Sequence, residues 1–94
     1  MDNEEARALL KHQLGKYQEW TYDELRALVD APKRVLQALG PSGTRYYIDI
    51  HTTWEDRPGD NVRVVGCIDD GGWRAFLPMT EVFVRAPDGS TYEG

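Results

Sequence analysis

Ala6, Leu9, Leu10, Gln13, Leu14 and Tyr17 recur at intervals of three and four, the spacing that lines one face of a helix, with Gln13 the one polar interruption. The pattern predicts a first helix over Glu4–Leu14, capped by Asp2 or Asn3, with Glu4 and Glu5 at its positive end and Gly15 in the left-handed closing position. A second helix is expected over about residues 22–30. Thr21 and Glu24 have the spacing of a capping box, Trp20 and Leu25 that of a hydrophobic staple, and Leu25, Leu28 and Val29 line one side. Pro32 disfavours helical geometry at Ala31 and should stop the helix near Asp30.

Beyond Arg34 the period becomes two. Tyr46, Ile48, Ile50, Thr52 and Trp54 alternate with Tyr47, Asp49, His51, Thr53 and Glu55, the mark of a half-buried strand whose even residues face the core. Pro58-Gly59 suits a turn, and Val62, Val64, Gly66 and Ile68 form the next inward set. Closing that hairpin with Glu55 opposite Asn61 sets Trp54 against Val62, Thr52 against Val64, Ile50 against Gly66 and Ile48 against Ile68. Asp70-Gly71 has the composition of a two-residue hairpin turn. Closed with Asp69 opposite Gly72, it sets Ile68 against Trp73, Gly66 against Ala75 and Val64 against Leu77. Both hairpins send the same residues of the middle strand inward, and a slip of one residue in either would turn an apolar set outward.

Arg34–Leu39 fits either a strand, with Leu36 opposite Ile48 and Ala38 opposite Tyr46 across the loop Gly40-Pro41-Ser42-Gly43, or an extension of the helical pair. The strand reading is preferred. Pro78 makes Met79–Arg85 a fifth strand or a bent continuation at an edge. Pro87-Asp88-Gly89 is a turn, and residues 90–94 read as a loose tail. The expected fold class is therefore α+β, with two N-terminal helices packed on one face of a four- to five-stranded antiparallel β-meander and residues 1–94 forming a single domain.

At 94 residues, with 40% hydrophobic and 11% aromatic content, the chain can bury an adequate though thin core. Its single cysteine, Cys67, forms no disulfide within the chain and fits a reducing compartment. No segment has the length of a membrane span or the layout of a secretion signal, so a cytoplasmic location is expected. The net charge of −5 disfavours nucleic acid and anionic membranes as partners, since both require a field of the opposite sign.

On the face opposite the core, the registers bring His51, Asp49 and Cys67 close together, the residue types of a thiol nucleophile, its base and an orienting carboxylate. Asp49 and His51 nevertheless sit about 7 Å apart along one strand, and nothing nearby activates the thiol. A polar surface histidine and a small apolar cysteine account for these residues better. Glu55, Asp56 and Asp60 flank one turn and Asp69 and Asp70 the next, at opposite ends of the shared strand, so these carboxylates do not converge on a metal. Gly40–Thr44 lacks the lysine and following helix of a phosphate loop. No cofactor and no catalytic set are implied.

What remains is the outward face, displaying Tyr47, His51, Arg63, Val65, Arg74 and Phe76, with Val35 and Leu39 added if Arg34–Leu39 is a strand. Aromatic and arginine side chains of this kind are enriched where proteins meet. The sequence thus favours a protein-interaction or regulatory module binding a protein partner or a second copy through this face. The alternative is a small-ligand binder with an interior pocket near Trp20, Trp54 and Trp73.

Overall fold

Asp2 opens the first helix as its N-cap, the side chain accepting a hydrogen bond from the Glu5 amide at 3.1 Å. In the computed structural model, which describes residues 1–72 and 78–93, this helix, α1, spans Asn3–Tyr17. It does not stop at Leu14. Gly15 lies within the helix, and Gln18 is the C-cap with right-handed φ of −69°. The additional turn buries Tyr17, whose ring packs at a tilt of 41° against Trp20 with centroids 5.1 Å apart. Helix α2 begins as its capping box requires, with Thr21 and Glu24 exchanging bonds of 3.1 and 2.8 Å, but it covers only Tyr22–Arg26. The expected continuation to residue 30 consists instead of turns held by three-residue bonds, Leu28 to Leu25, Val29 to Arg26 and Ala31 to Leu28. The tighter spacing lets the chain reverse before Pro32.

Five strands follow, β1 (Arg34–Leu39), β2 (Arg45–Trp54), β3 (Val62–Asp69), β4 (Met79–Arg85) and β5 (Thr91–Glu93). They form one antiparallel sheet in the order β1-β2-β3-β4-β5. The fold is α+β, with two short helices and an open antiparallel sheet. Arg34–Leu39 is a strand, with Leu36 opposite Ile48 and Ala38 opposite Tyr46. The first long hairpin has the expected register, from Trp54 opposite Val62 to Ile48 opposite Ile68. Its turn has Gly59 at φ +88° and an Asp60 to Arg57 bond of 3.2 Å, a conformation that only the glycine adopts without strain.

The second hairpin differs from the expectation. The partners of Ile68, Gly66 and Val64 are Met79, Glu81 and Phe83, so Met79–Arg85 lies between β3 and β5 rather than at an edge. Trp73, Ala75 and Leu77, expected to hold those places, lie outside the described residues. Thr91–Glu93, expected as part of a loose tail, pairs with Phe83–Arg85 across the turn at Gly89.

Ala6, Leu10, Leu14 and Tyr17 of α1, Leu25 of α2, and Tyr46, Ile48, Ile50, Val62, Val64, Ile68 and Phe83 of the sheet form one buried cluster. Each aliphatic side chain wholly removed from water here contributes about 1.5–3 kcal/mol. Helix α1 crosses β3 at Gly66, where a Cβ would come within 2.8 Å of Leu10 Cδ1 and 3.1 Å of Leu14 Cδ2. The glycine therefore sets how closely helix and sheet approach.

Candidate functional site

The face of the sheet away from this cluster carries the odd-numbered residues of β1, β2 and β3, together with the even-numbered residues of β4 and β5 that pair with them. His51 stands opposite Val65, Asp49 opposite Cys67, Thr53 opposite Arg63 and Tyr47 opposite Asp69. Tyr47, His51 and Arg63 are exposed, whereas Val65 is half-buried. Arg74 and Phe76, expected on the same surface, lie outside the described residues. The face is not uniformly open. Val82 and Cys67 are half-buried and Val84 is fully buried, so exposure concentrates over β1 and β2. Tyr47 also leans toward the next turn, since a Cβ on Gly71 would lie 2.8 Å from its Cε2.

His51, Asp49 and Cys67 share this face, yet among the described residues no hydrogen bond joins His51 to either of the other two. The Cys67 thiol lies 3.6 Å from Thr80 Oγ1 on the other neighbouring strand. The acidic turns are occupied locally. Asp69 and Asp70 accept from the Gly71 and Gly72 amides at 2.8 and 3.2 Å, and Glu55 accepts from Asn61 Nδ2 at 3.2 Å. Among the described residues no three His, Cys, Asp or Glu side chains converge on a point that could hold a metal ion. No described helix is long and apolar enough to cross a membrane.

Two polar constellations emerge that the hydrophobic pattern did not reveal. In the first, Glu5 reaches from α1 to the β1–β2 loop, accepting from the Ser42 amide at 2.8 Å, the Ser42 hydroxyl at 2.7 Å and the Tyr46 hydroxyl at 2.8 Å. The loop amide that could have met a phosphate already meets a carboxylate. Gly40 makes room for it, since a Cβ there would overlap Glu5 Oε1. The bonds from Ser42, followed by that from Tyr46, hold the Glu5 carboxyl below the usual carboxylate range. Burial, then the bond to Glu5, pushes the Tyr46 phenol up from 10.0 to about 12.

The two shifts act at opposite ends of the pH scale. The depressed Glu5 pKa gives a contribution that is complete above the ordinary value of 4.5 and lost as pH falls through the folded value. The raised Tyr46 pKa gives one that is complete below pH 10.0 and lost as pH rises through about 12. Thermal unfolding midpoints measured against pH should therefore decline on both sides. Glu5→Gln is expected to flatten the acid limb and Tyr46→Phe the alkaline one, and unchanged limbs would count against the network.

In the second constellation, Arg85 is only 6% exposed. Its Nε donates to Thr91 Oγ1 at 2.7 Å, one terminal nitrogen to the Gln18 carbonyl at 2.8 Å and the other to the Trp20 carbonyl. No carboxylate among the described residues lies within ion-pair distance of it. Of the two carbonyls that meet its charge, that of Gln18 caps the C-terminal end of α1, where the helix dipole favours a cation, and that of Trp20 lies in the connection to α2. The one signal in the sequence was an arginine two residues beyond Phe83, on the inward side of an alternating strand.

A cavity of about 220 Å³ lies between the end of α1, the turns after α2, and β2, with Tyr17, Trp20, Leu28 and Ile50 among its walls and Arg34 and His51 at its margin. Trp54 does not line it, and Trp73 lies outside the described residues. No protein-family model matches the chain, and no curated protein or solved structure matches it either.

Proposed function

We propose that this chain is a non-enzymatic protein-interaction or regulatory module that docks through the sheet face turned away from the core. Tyr47, His51 and Arg63 form the centre of that surface, and the half-buried Val65 its floor. One observation carries the reading. The four large hydrophobic side chains exposed among the described residues, Val35, Leu39, Tyr47 and Tyr92, all lie on this one face. Scattered apolar residues need no explanation, but their restriction to one face is the distribution expected of a contact surface. Tyrosine and arginine are also the residue types that carry much of the binding energy where proteins meet.

Affinity capture with the wild-type chain and with Tyr47→Asp or Arg63→Glu variants tests this. The substituted side chains are exposed, so both variants should keep the wild-type melting temperature within about 4 °C. They are expected to lose at least tenfold of whatever protein the wild type retains. Equal retention by all three proteins would defeat the reading.

The second reading, a small-ligand site, is favoured by the paired aromatic rings of Tyr17 and Trp20 at the 220 Å³ cavity. That volume is below the roughly 300–1,000 Å³ usual for ligand pockets, which ranks it second. Quenching of Trp20 fluorescence by a small molecule, abolished by Leu28→Trp, would reverse the ranking.

A further inference from the structure

Among the described residues the outer edge of β1 has no partner strand, and its geometry specifies what fits it. The Gly40 amide donates to the Thr44 carbonyl at 2.8 Å, fixing the phase of the β1–β2 ladder. Bonded pairs alternate along an antiparallel ladder, so Ala38, Leu36 and Arg34 direct their amides and carbonyls at β2. Those of Val35, Gln37 and Leu39 point outward. On the far side of β2, the Glu55 amide bonds the Asn61 carbonyl at 2.9 Å, which assigns the odd residues to β3 and agrees with this phase.

We propose that β1 pairs antiparallel with β1 of a second copy, with Gln37 on the two-fold axis. Gln37 then bonds its own counterpart, and Val35 bonds Leu39 of the second copy in both directions, using the outward amides and carbonyls. The same register matches the side chains. Val35 and Leu39, 63% and 68% exposed, are the most exposed large hydrophobics among the described residues, and here they meet across the axis twice. On the other face the half-buried Leu36 meets Ala38. Centring the axis on Leu36 instead would set Val35 against Gln37 and Leu39 against Lys33, leaving both apolar groups unmatched.

Charge selects this register as well. It places Arg34 opposite Gly40 of the second copy, on the core side of the sheet. The space where Gly40 would carry a side chain is filled by the Glu5 carboxylate. Among the described residues, Arg34 has no carboxylate and Glu5 no cation within ion-pair distance. The two-fold brings these groups together at both ends, the opposite-charge cross-strand pairing that stabilises sheets. Beside Glu5, a groove lined by Ala8, Leu9 and Pro41 can take the aliphatic part of the arginine. The strand has no proline, and Arg34 is its only charge, so little blunts this edge.

A six-residue strand spans about 20 Å, so the contact is at the small end of stable interfaces and a micromolar dimer is expected. The proposal uses Val35 and Leu39, two of the four exposed side chains behind the docking-face reading, but not Tyr47, His51 or Arg63. A two-fold perpendicular to the sheet keeps both outward faces on one side, so either proposal can fail alone.

Sedimentation velocity on the full chain from about 1 µM to about 1 mM tests it. The wild type should move from monomer to dimer mass. Val35→Lys and Gln37→Pro should each weaken association at least tenfold with unchanged circular dichroism, since the Gln37 amide serves no bond among the described residues. In a Cys67→Ser background, Gln37→Cys should form a disulfide-linked dimer on mild oxidation, because residues paired across an antiparallel ladder have Cα atoms about 5.5 Å apart. Leu39→Cys should not, its counterpart lying four residues along the strand, about 13 Å away. Monomer mass throughout, a dimer indifferent to both Val35→Lys and Gln37→Pro, or equal cross-linking at 37 and 39 would each overturn the proposal. Monomer mass alone would leave the docking-face reading standing.

Discussion

Replacing Gly66 with valine is expected to destabilise the fold by about 3 kcal/mol or more, lowering the thermal midpoint by roughly 12–24 °C. A Cβ at this position would lie 2.8 Å from Leu10 Cδ1 and within 3.2 Å of Leu14 Cγ, against the 3.5–4.0 Å at which carbon atoms attract. Leu10 is wholly buried within the core cluster. Alanine should cost less, about 1–2 kcal/mol, because removing glycine from a strand interior recovers part of the loss. The mechanism predicts a specific coupling. Leu10→Ala should cost less in the Gly66→Ala background than in the wild type, since the new methyl group occupies part of the space the leucine leaves. Denaturant titration of the four proteins measures this, and strict additivity would show that helix and sheet do not meet as described.

Arg85→Met is expected to cost about 2–4 kcal/mol. The change preserves the apolar stem but leaves the Gln18 and Trp20 carbonyls and the Thr91 hydroxyl without their donor. Relief from burying a charge offsets part of the loss, which keeps the figure below that for a broken buried ion pair. Arg85→Lys should recover only a minority of the stability. An ammonium is a point donor, whereas the guanidinium reaches both carbonyls and the hydroxyl from one planar group. Chemical unfolding of the three proteins is the measurement, and equal stability of the arginine and lysine forms would contradict the role assigned to its planar fork.

These two residues also explain how far the sequence could be read. The β2–β3 hairpin was legible because its inward set is apolar except for Thr52 and a Pro-Gly pair marks its turn. The partner of β3 on its other side was not. The inward positions of β4 are Met79, Glu81, Phe83 and Arg85, two of them charged, while Trp73, Ala75 and Leu77 offered an unbroken apolar alternation nearer the turn. Tertiary contacts make the charged set acceptable. Glu81 pairs with Arg7 of α1 at 3.4 Å, and Arg85 meets the end of the same helix. Hydrophobic alternation registers neither contact. The same limitation hid Glu5, whose partners are 37 and 41 residues away. The helix ends were obscured for a simpler reason, since burial of Tyr17 outweighs the tendency of Gly15 to stop a helix. On the outward face, the alternation of β2 and β3 brought Tyr47, His51, Arg63 and Val65 to one side, but did not reveal the uneven cover that buries Val84.

Every strand in this sheet lies beside its neighbour in the chain, and the β1–β2, β2–β3 and β4–β5 ladders close over short connections at small entropic cost. The contacts at Gly66 and Arg85 are different, the latter joining residues 67 positions apart. The order of events follows from that contrast. The hairpins are expected to zip early, and α1, although first in the sequence, to lock into place late. Substitutions at Gly66 and Arg85 accordingly act on how fast the native state opens far more than on how fast it forms.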